Sequence, residues 1–245
     1  MDQSTERELT AKRNSFTSFC EVPDDVEKGF RLVPAFYRRN YRKLLPPDKH
    51  ASILVISSGP GDFQRYLKDL NGTNVLGIDS DPEKAELANG RGLQLETDSC
   101  FDFLPRDSEY NFMFGEQEVN HLTRDEFLEF LELLGRCRVS LRPNRGLLLV
   151  AANRTNPLIA AEDPGNNRDH YSYTAEDNLK QAFAFAGSTK ATPILLDYYV
   201  LWKNPTNYVT KLITDTFHLL LRVIFRIYGK NASIFTKRLA ILGLT

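Results

Sequence analysis

The chain has 245 residues, with 31 basic and 32 acidic side chains and a formal charge of -1. This length suits one α/β domain with a good core plus about 30–50 residues of attachments, and the balanced charge gives no argument for a nucleic-acid partner. Cys20, Cys100 and Cys137 form an odd, widely spaced set, which predicts neither a disulfide framework nor a metal motif and fits a reducing cytosol. Met1 opens a polar, charged segment without the pattern of a signal peptide. No uninterrupted apolar stretch reaches the roughly 18 residues of a spanning helix.

Residues 1–22 read as a polar head. A helical region over 23–45 carries Val26, Phe30, Val33, Tyr37, Tyr41 and Leu44 at helical spacings, with Pro34 dividing it and Pro46-Pro47 stopping it. It either covers a sheet edge or forms a lid or acceptor-contacting arm. The core begins at residue 51. Ile53–Ile56 is a short continuous apolar run, the pattern of a buried strand in a parallel sheet. Further strands are expected at 75–78, 93–96, 110–114 and 147–151, with helices at 62–70, 82–89, after Thr123, and at 175–185. Thr123 and Glu126 have the spacing of a capping box. Such alternation predicts a parallel sheet with helices on both faces. A long linker, 153–173, reads as a binding or lid element, and Ile194–Trp202 reads as a late antiparallel strand.

The first strand opens into Ser57-Ser58-Gly59-Pro60-Gly61, where small residues let the backbone turn sharply before a helix. The next strand ends at Asp79, twenty positions after Gly59, a separation that suits a carboxylate accepting hydrogen bonds from ribose hydroxyls. Together these stretches form the opening unit of a nucleotide-binding domain. Without Asp79 and the later stretches, the same glycines would suit an ordinary strand-to-helix turn. A dinucleotide fingerprint would want glycine where Gln64 stands, and no Gly-Lys-Ser/Thr follows for a phosphate loop. No short-spaced His/Cys/Asp cluster implies a metal.

In this order the stretches ILVISSGPGDFQRYL, VLGIDSDPEKAELA, LETDSCFDFL, NFMFGEQEVNHL and LRPNRGLLLVAANRTNP resemble the class I S-adenosylmethionine (SAM)-dependent methyltransferases, especially small bacterial enzymes of the Methyltransf-11/12 type. The resemblance covers roughly residues 40–202 and implies a Rossmann-like sheet with SAM as cofactor. It implies contacts to SAM from Ser57, Gly59, Gly61, Asp79, Ser80, Asp98, Ser99 and Glu116, with Asp98 near the adenine amine. Glu116 to His121 would face the cleft, and DHYSYTAEDNLKQAFAFAG resembles an acceptor-side loop and helix. Two positions depart from the family: an acidic residue is usual at Val55 and a glycine at Ser57.

An acceptor hydroxyl must lose its proton to a nearby base. His121 and Glu118 are the candidates, against a packing or capping role for His121. His170, Tyr171 and Tyr173 could bind a sugar face, or simply pack in their loop. From Val209 to Tyr228 the chain is apolar apart from a line of Lys211, Asp215, His218, Arg222 and Arg226, which share one side of a helix. The segment 209–242 is open to three readings: a membrane surface, an oligomer, or closure over the protein's own sheet. The tail resembles extensions on methyltransferases found with bacterial surface-polysaccharide enzymes, hinting at polysaccharide biosynthesis. The expected organisation is a helical segment 1–45, a Rossmann-like domain 46–205 and an amphipathic helical extension 206–245. The expected activity is methyl transfer to a hydroxyl of a sugar or lipid-linked glycan, in the cytoplasm or at the inner face of the cell membrane. The partners would be a small-molecule or glycan acceptor and a second copy or a glycosyltransferase. A degenerate methyltransferase domain acting as a scaffold in glycan assembly is the alternative.

Overall fold

The computed structural model describes residues 33–70, 74–106, 110–116, 122–139, 146–152, 176–185, 190–194, 196, 205–227 and 238–244. A helix over 33–40, α1, precedes the sheet. The core follows as β1 (Ile53–Ile56), α2 (Asp62–Asp69), β2 (Val75–Asp79), α3 (Pro82–Gly90), β3 (Leu95–Thr97), α4 (Cys100–Phe103) and β4 (Phe112–Glu116). Then come α5 (Arg124–Val139), β5 (Gly146–Ala152), α6 (Glu176–Phe185), β6 (Lys190–Ile194), α7 (Thr206–Ile227) and β7 (Arg238–Leu244). The seven strands lie in the order β3-β2-β1-β4-β5-β7-β6. Strands β1 to β5 pair in parallel, and β7 pairs antiparallel to both β5 and β6.

The interior strands read as unbroken apolar runs because both sheet faces are covered. Side chains alternate between two cores. Leu54, Ile56, Met113, Leu149 and Ile241 face Phe130 and Leu134 of α5 and Leu179 and Phe183 of α6. Ile53, Val55, Phe112, Phe114, Leu148 and Val150 face the other way, onto Tyr37, Tyr41, Phe63, Tyr66 and Leu67. This second core is strongly aromatic: the Phe63 and Phe114 rings stack with centroids 3.8 Å apart, and Tyr37 meets Phe63 edge-on at 5.0 Å.

The expected helix starts are present as local chemistry. Asp81 caps α3 by accepting the Glu83 N–H at 3.0 Å, with Pro82 in the first turn. The Thr123 N–H donates to Glu126 Oε2 at 2.7 Å, and the Glu126 N–H donates back to Thr123 Oγ1 at 3.4 Å. Residues 33–40 are one helix with Pro34 in its first described turn, while residues 1–32 lie outside the described residues.

A late strand, β6, stands at Lys190–Ile194, and of the strand expected over Ile194–Trp202 residues 195 and 197–202 lie outside the described residues. One expectation needs correction. Of the helical extension expected over 206–245, Thr206–Ile227 is helix and 228–237 lie outside the described residues. Residues Arg238–Leu244 form β7, inserted between β5 and β6, with Ala240 and Ile241 fully buried. Leu239-Ala240-Ile241-Leu242 is apolar on both sides because both sides of that strand are covered, so its composition matches that of the greasy helix before it.

Candidate cofactor crevice

Strand β1 lies between β2 and β4, and its carboxyl end continues into the turn 57–61. The turn is built from left-handed residues: Ser57 has φ 48°, Gly59 has φ 56° and Gly61 has φ 91°. Among the described residues Ser57 is the only non-glycine with positive φ. For an L-residue that conformation costs roughly 1–2 kcal/mol, so the turn is held against strain by its surroundings. Gly61 has a packing reason as well. A Cβ there would lie 2.5 Å from Leu93 Cδ1, so glycine lets α2 start close against the segment leading into β3.

Asp79 holds this turn in place. Its carboxylate is buried and accepts the Gly59 N–H at 2.8 Å on Oδ2 and the Asp81 N–H at 3.0 Å on Oδ1. Its backbone carbonyl accepts the Asp98 N–H at 2.9 Å. An ionised carboxylate offers about four acceptor sites. Asp79 therefore retains capacity on both oxygens after fastening the loop, which is what a pair of ribose hydroxyls requires. Ser80 is exposed beside it.

The next two predicted residues are already engaged. Asp98 pairs with the Arg106 guanidinium and accepts the Ser99 N–H at 2.9 Å. The guanidinium also lies over the Phe103 ring at 5.0 Å. Ser99 is the N-cap of α4, accepting the Asp102 N–H at 3.2 Å and donating its hydroxyl to Asp102 Oδ2 at 2.8 Å. An adenine amine approaching Asp98 would share the carboxylate with Arg106.

Glu116 closes the other side. Strand register pairs Val55 with Phe114 and Ile56 with Gly115, so Glu116 is the next residue outward beside Ser57. By alternation Glu116 projects to the same sheet face as Val55. Val55 itself is 2% exposed and belongs to the aromatic core with Tyr37, Phe63 and Phe114. The acid usual in β1 is thus replaced by core, while a half-buried carboxylate stands at the end of the adjacent strand on the same face. Tyr37, in the helical region expected to form either a sheet-edge cover or a lid or acceptor-contacting arm, donates its hydroxyl to Glu116 Oε2 at 3.3 Å. Its signal in the sequence is faint: an aromatic four residues before Tyr41 reads as packing, which it also is. The structure brings Ser57, Gly59, Gly61, Asp79, Ser80, Asp98, Ser99 and Glu116 to the carboxyl edge of β1, β2, β3 and β4. Glu118, His121, His170, Tyr171 and Tyr173 lie outside the described residues.

The parallel sheet closed by an antiparallel β7 has counterparts among solved structures. A SAM-dependent methyltransferase from Archaeoglobus fulgidus superposes with a TM-score of 0.65 at 17% identity, covering 88% of this chain and 94% of that one. The fold is that of the class I methyltransferases. A SAM-dependent methyltransferase from Thermotoga maritima gives a TM-score of 0.59 at 14% identity, over 90% of this chain and 94% of its own. DhpI, solved with SAM, gives 0.57 at 13% identity over 99% and 97% of the two chains, and has also been solved with S-adenosylhomocysteine (SAH). No protein-family model matches the chain, and no curated protein matches it. Within the methyltransferase fold, the residues at this crevice fit SAM: a carboxylate with spare acceptor sites lies on one side of the turn, and a second carboxylate lies on the other. Asp79 and Asp98 would hold the adenosine half and Glu116 the cationic methionine end.

Proposed function

We propose that the protein transfers the methyl group of SAM to a hydroxyl of a sugar or lipid-linked glycan. The observation that carries the cofactor half is Asp79, a buried carboxylate that anchors Gly59 and still has oxygens to offer. SAM supplies a methyl carbon already activated by the adjacent sulfonium charge, so positioning provides much of the catalysis. With SAM bound, an acceptor oxygen would take the methyl carbon as the carbon–sulfur electron pair returns to sulfur, leaving SAH, and the hydroxyl proton would pass to a base of this chain. His121 and Glu118 are the residues we assign to that proton, with His170, Tyr171 and Tyr173 binding the acceptor. The hydroxyl acceptor and the glycan class rest on the sequence resemblance, and peripheral attachment at the inner face of a membrane rests on the apolar surface of α7.

Incubation with methyl-labelled SAM and a glycolipid extract tests this reading. Label should enter an alkali-stable ether, since methylation at a hydroxyl gives one. Label confined to an alkali-labile ester would place the methyl group on a carboxylate and refute the acceptor class. The scaffold reading draws on a specific set of observations: Val55 is sealed in the core, Ser57 is strained and Arg106 occupies Asp98. It predicts a folded protein that neither binds SAH nor turns over.

A further inference from the structure

Helix α7 is 22 residues long and carries ten exposed large apolar side chains between Tyr208 and Ile227. Leu212 is 69% exposed and Ile227 is 78% exposed, among the described residues. At about 100° per residue these side chains fall within about half the helix circumference. By the same wheel the remaining half carries Lys211, His218, Arg222 and the single acid Asp215 among threonines, Leu221 and Phe225, with Arg226 at its border with the apolar arc, and Lys211 pairs with Asp215 at 2.8 Å. Among the described residues no helix is long and apolar enough to cross a membrane.

The topology fixes where α7 is attached. Strand β7 is antiparallel to β5 and to β6, so β6 runs in the direction of β1, β4 and β5. Ile194, which ends β6, and Arg238, which starts β7, therefore both lie at the carboxyl edge of the sheet. That is the edge where Asp79 and Glu116 stand. The segment bearing α7 leaves this edge and returns to it.

We propose that α7 is a docking helix that lies in the interface of an anionic lipid bilayer and turns the crevice edge of the sheet toward it. A wide apolar arc with cations on the opposite side is the pattern of an interfacial helix, where the apolar half enters the acyl boundary and the cations meet anionic headgroups. A second copy of the helix fits less well. Two-helix pairing uses a narrow apolar seam flanked by charges of opposite sign, whereas this arc is broad and its polar side is mostly of one sign. The docking stands independently of methyl transfer. Delivery of a lipid-linked acceptor from the same bilayer to the crevice rests on the methyl-transfer reading.

Vesicle flotation of the full-length chain tests the docking, with phosphatidylcholine alone and with phosphatidylcholine containing phosphatidylglycerol. The wild type should float with the anionic vesicles. Leu212→Asp with Leu220→Asp should reduce partition by about tenfold or more for each side chain. Lys211→Gln with Arg226→Gln should lower the preference for anionic vesicles by about fivefold per cation, in a salt-dependent way. Both variants change exposed or half-exposed positions, so their circular dichroism and any SAH binding should match the wild type. A wild type that stays with the unbound fraction on both vesicle types overturns the proposal. So does a concentration-dependent dimer, formed without lipid and abolished by the Leu212/Leu220 variant, in a protein that does not float. If flotation succeeds and SAH does not bind, the docking stands and the methyl-transfer reading falls.

Discussion

Tyr66 lies on the aromatic face of the sheet, and its buried hydroxyl has no hydrogen-bond partner among the described residues. Burial pushes its pKa up, and the nearby Arg42 and Arg38 pull it part of the way back. A phenol whose folded pKa exceeds its unfolded value leaves stability intact below the unfolded pKa, about 10, and removes it as the pH rises from there through the folded value. Tyr66→Phe should therefore melt at nearly the wild-type temperature at neutral pH and lose less stability in alkali. Melts showing equal alkaline losses would contradict this account. Glu116 carries a binding prediction at the same scale. If it takes the methionine end in place of the missing acid at Val55, Glu116→Gln should weaken SAH by about tenfold or more. It should leave methylthioadenosine, which lacks the amino-acid end, unchanged. Equal loss for both ligands would remove that role.

At the scale of elements, the join between α2 and β2 shows how packing was redistributed. Gln64 is buried where a dinucleotide fold would use glycine, and the glycine stands instead in the strand, as Gly77. A Cβ on Gly77 would lie 2.5 Å from Gln64 Oε1. Gln64 is fixed there by the Ser58 hydroxyl at 2.8 Å and by donating to the Gln94 carbonyl at 2.6 Å. Gly77→Ala should cost about 1–3 kcal/mol, and clearly less in a Gln64→Ala background. Additive costs in denaturant unfolding would mean the two do not share this space. The elements most legible in the sequence were those whose chemistry is local. The apolar runs at 53–56 and 75–78, the Pro82 start and the Thr123–Glu126 box each declare themselves within a few residues. Three features depended on distant contacts and were not legible: the Gly77–Gln64 fit, the Tyr37–Glu116 bond across 79 positions, and the assignment of residues 238–244 to the sheet.

At the scale of the whole molecule, β7 decides what the C-terminal part is. It pairs along Gly146–Ala152 of β5 on one side and Lys190–Ile194 of β6 on the other. Removing residues 238–245 should therefore unfold or aggregate the protein, because it exposes the edges of β5 and β6 together. A soluble, cooperatively melting truncation would restore the reading of an appended tail. The crevice formed in this sheet carries the claim that the protein binds SAM. Calorimetric titration of the full-length protein with SAH, repeated on Asp79→Ala, tests it directly. The wild type should bind saturably and the variant should lose about tenfold to hundredfold in affinity, with the fold retained by circular dichroism. A wild type giving neither heat nor thermal stabilisation across a broad range of SAH, or a variant binding as tightly as the wild type, would contradict it.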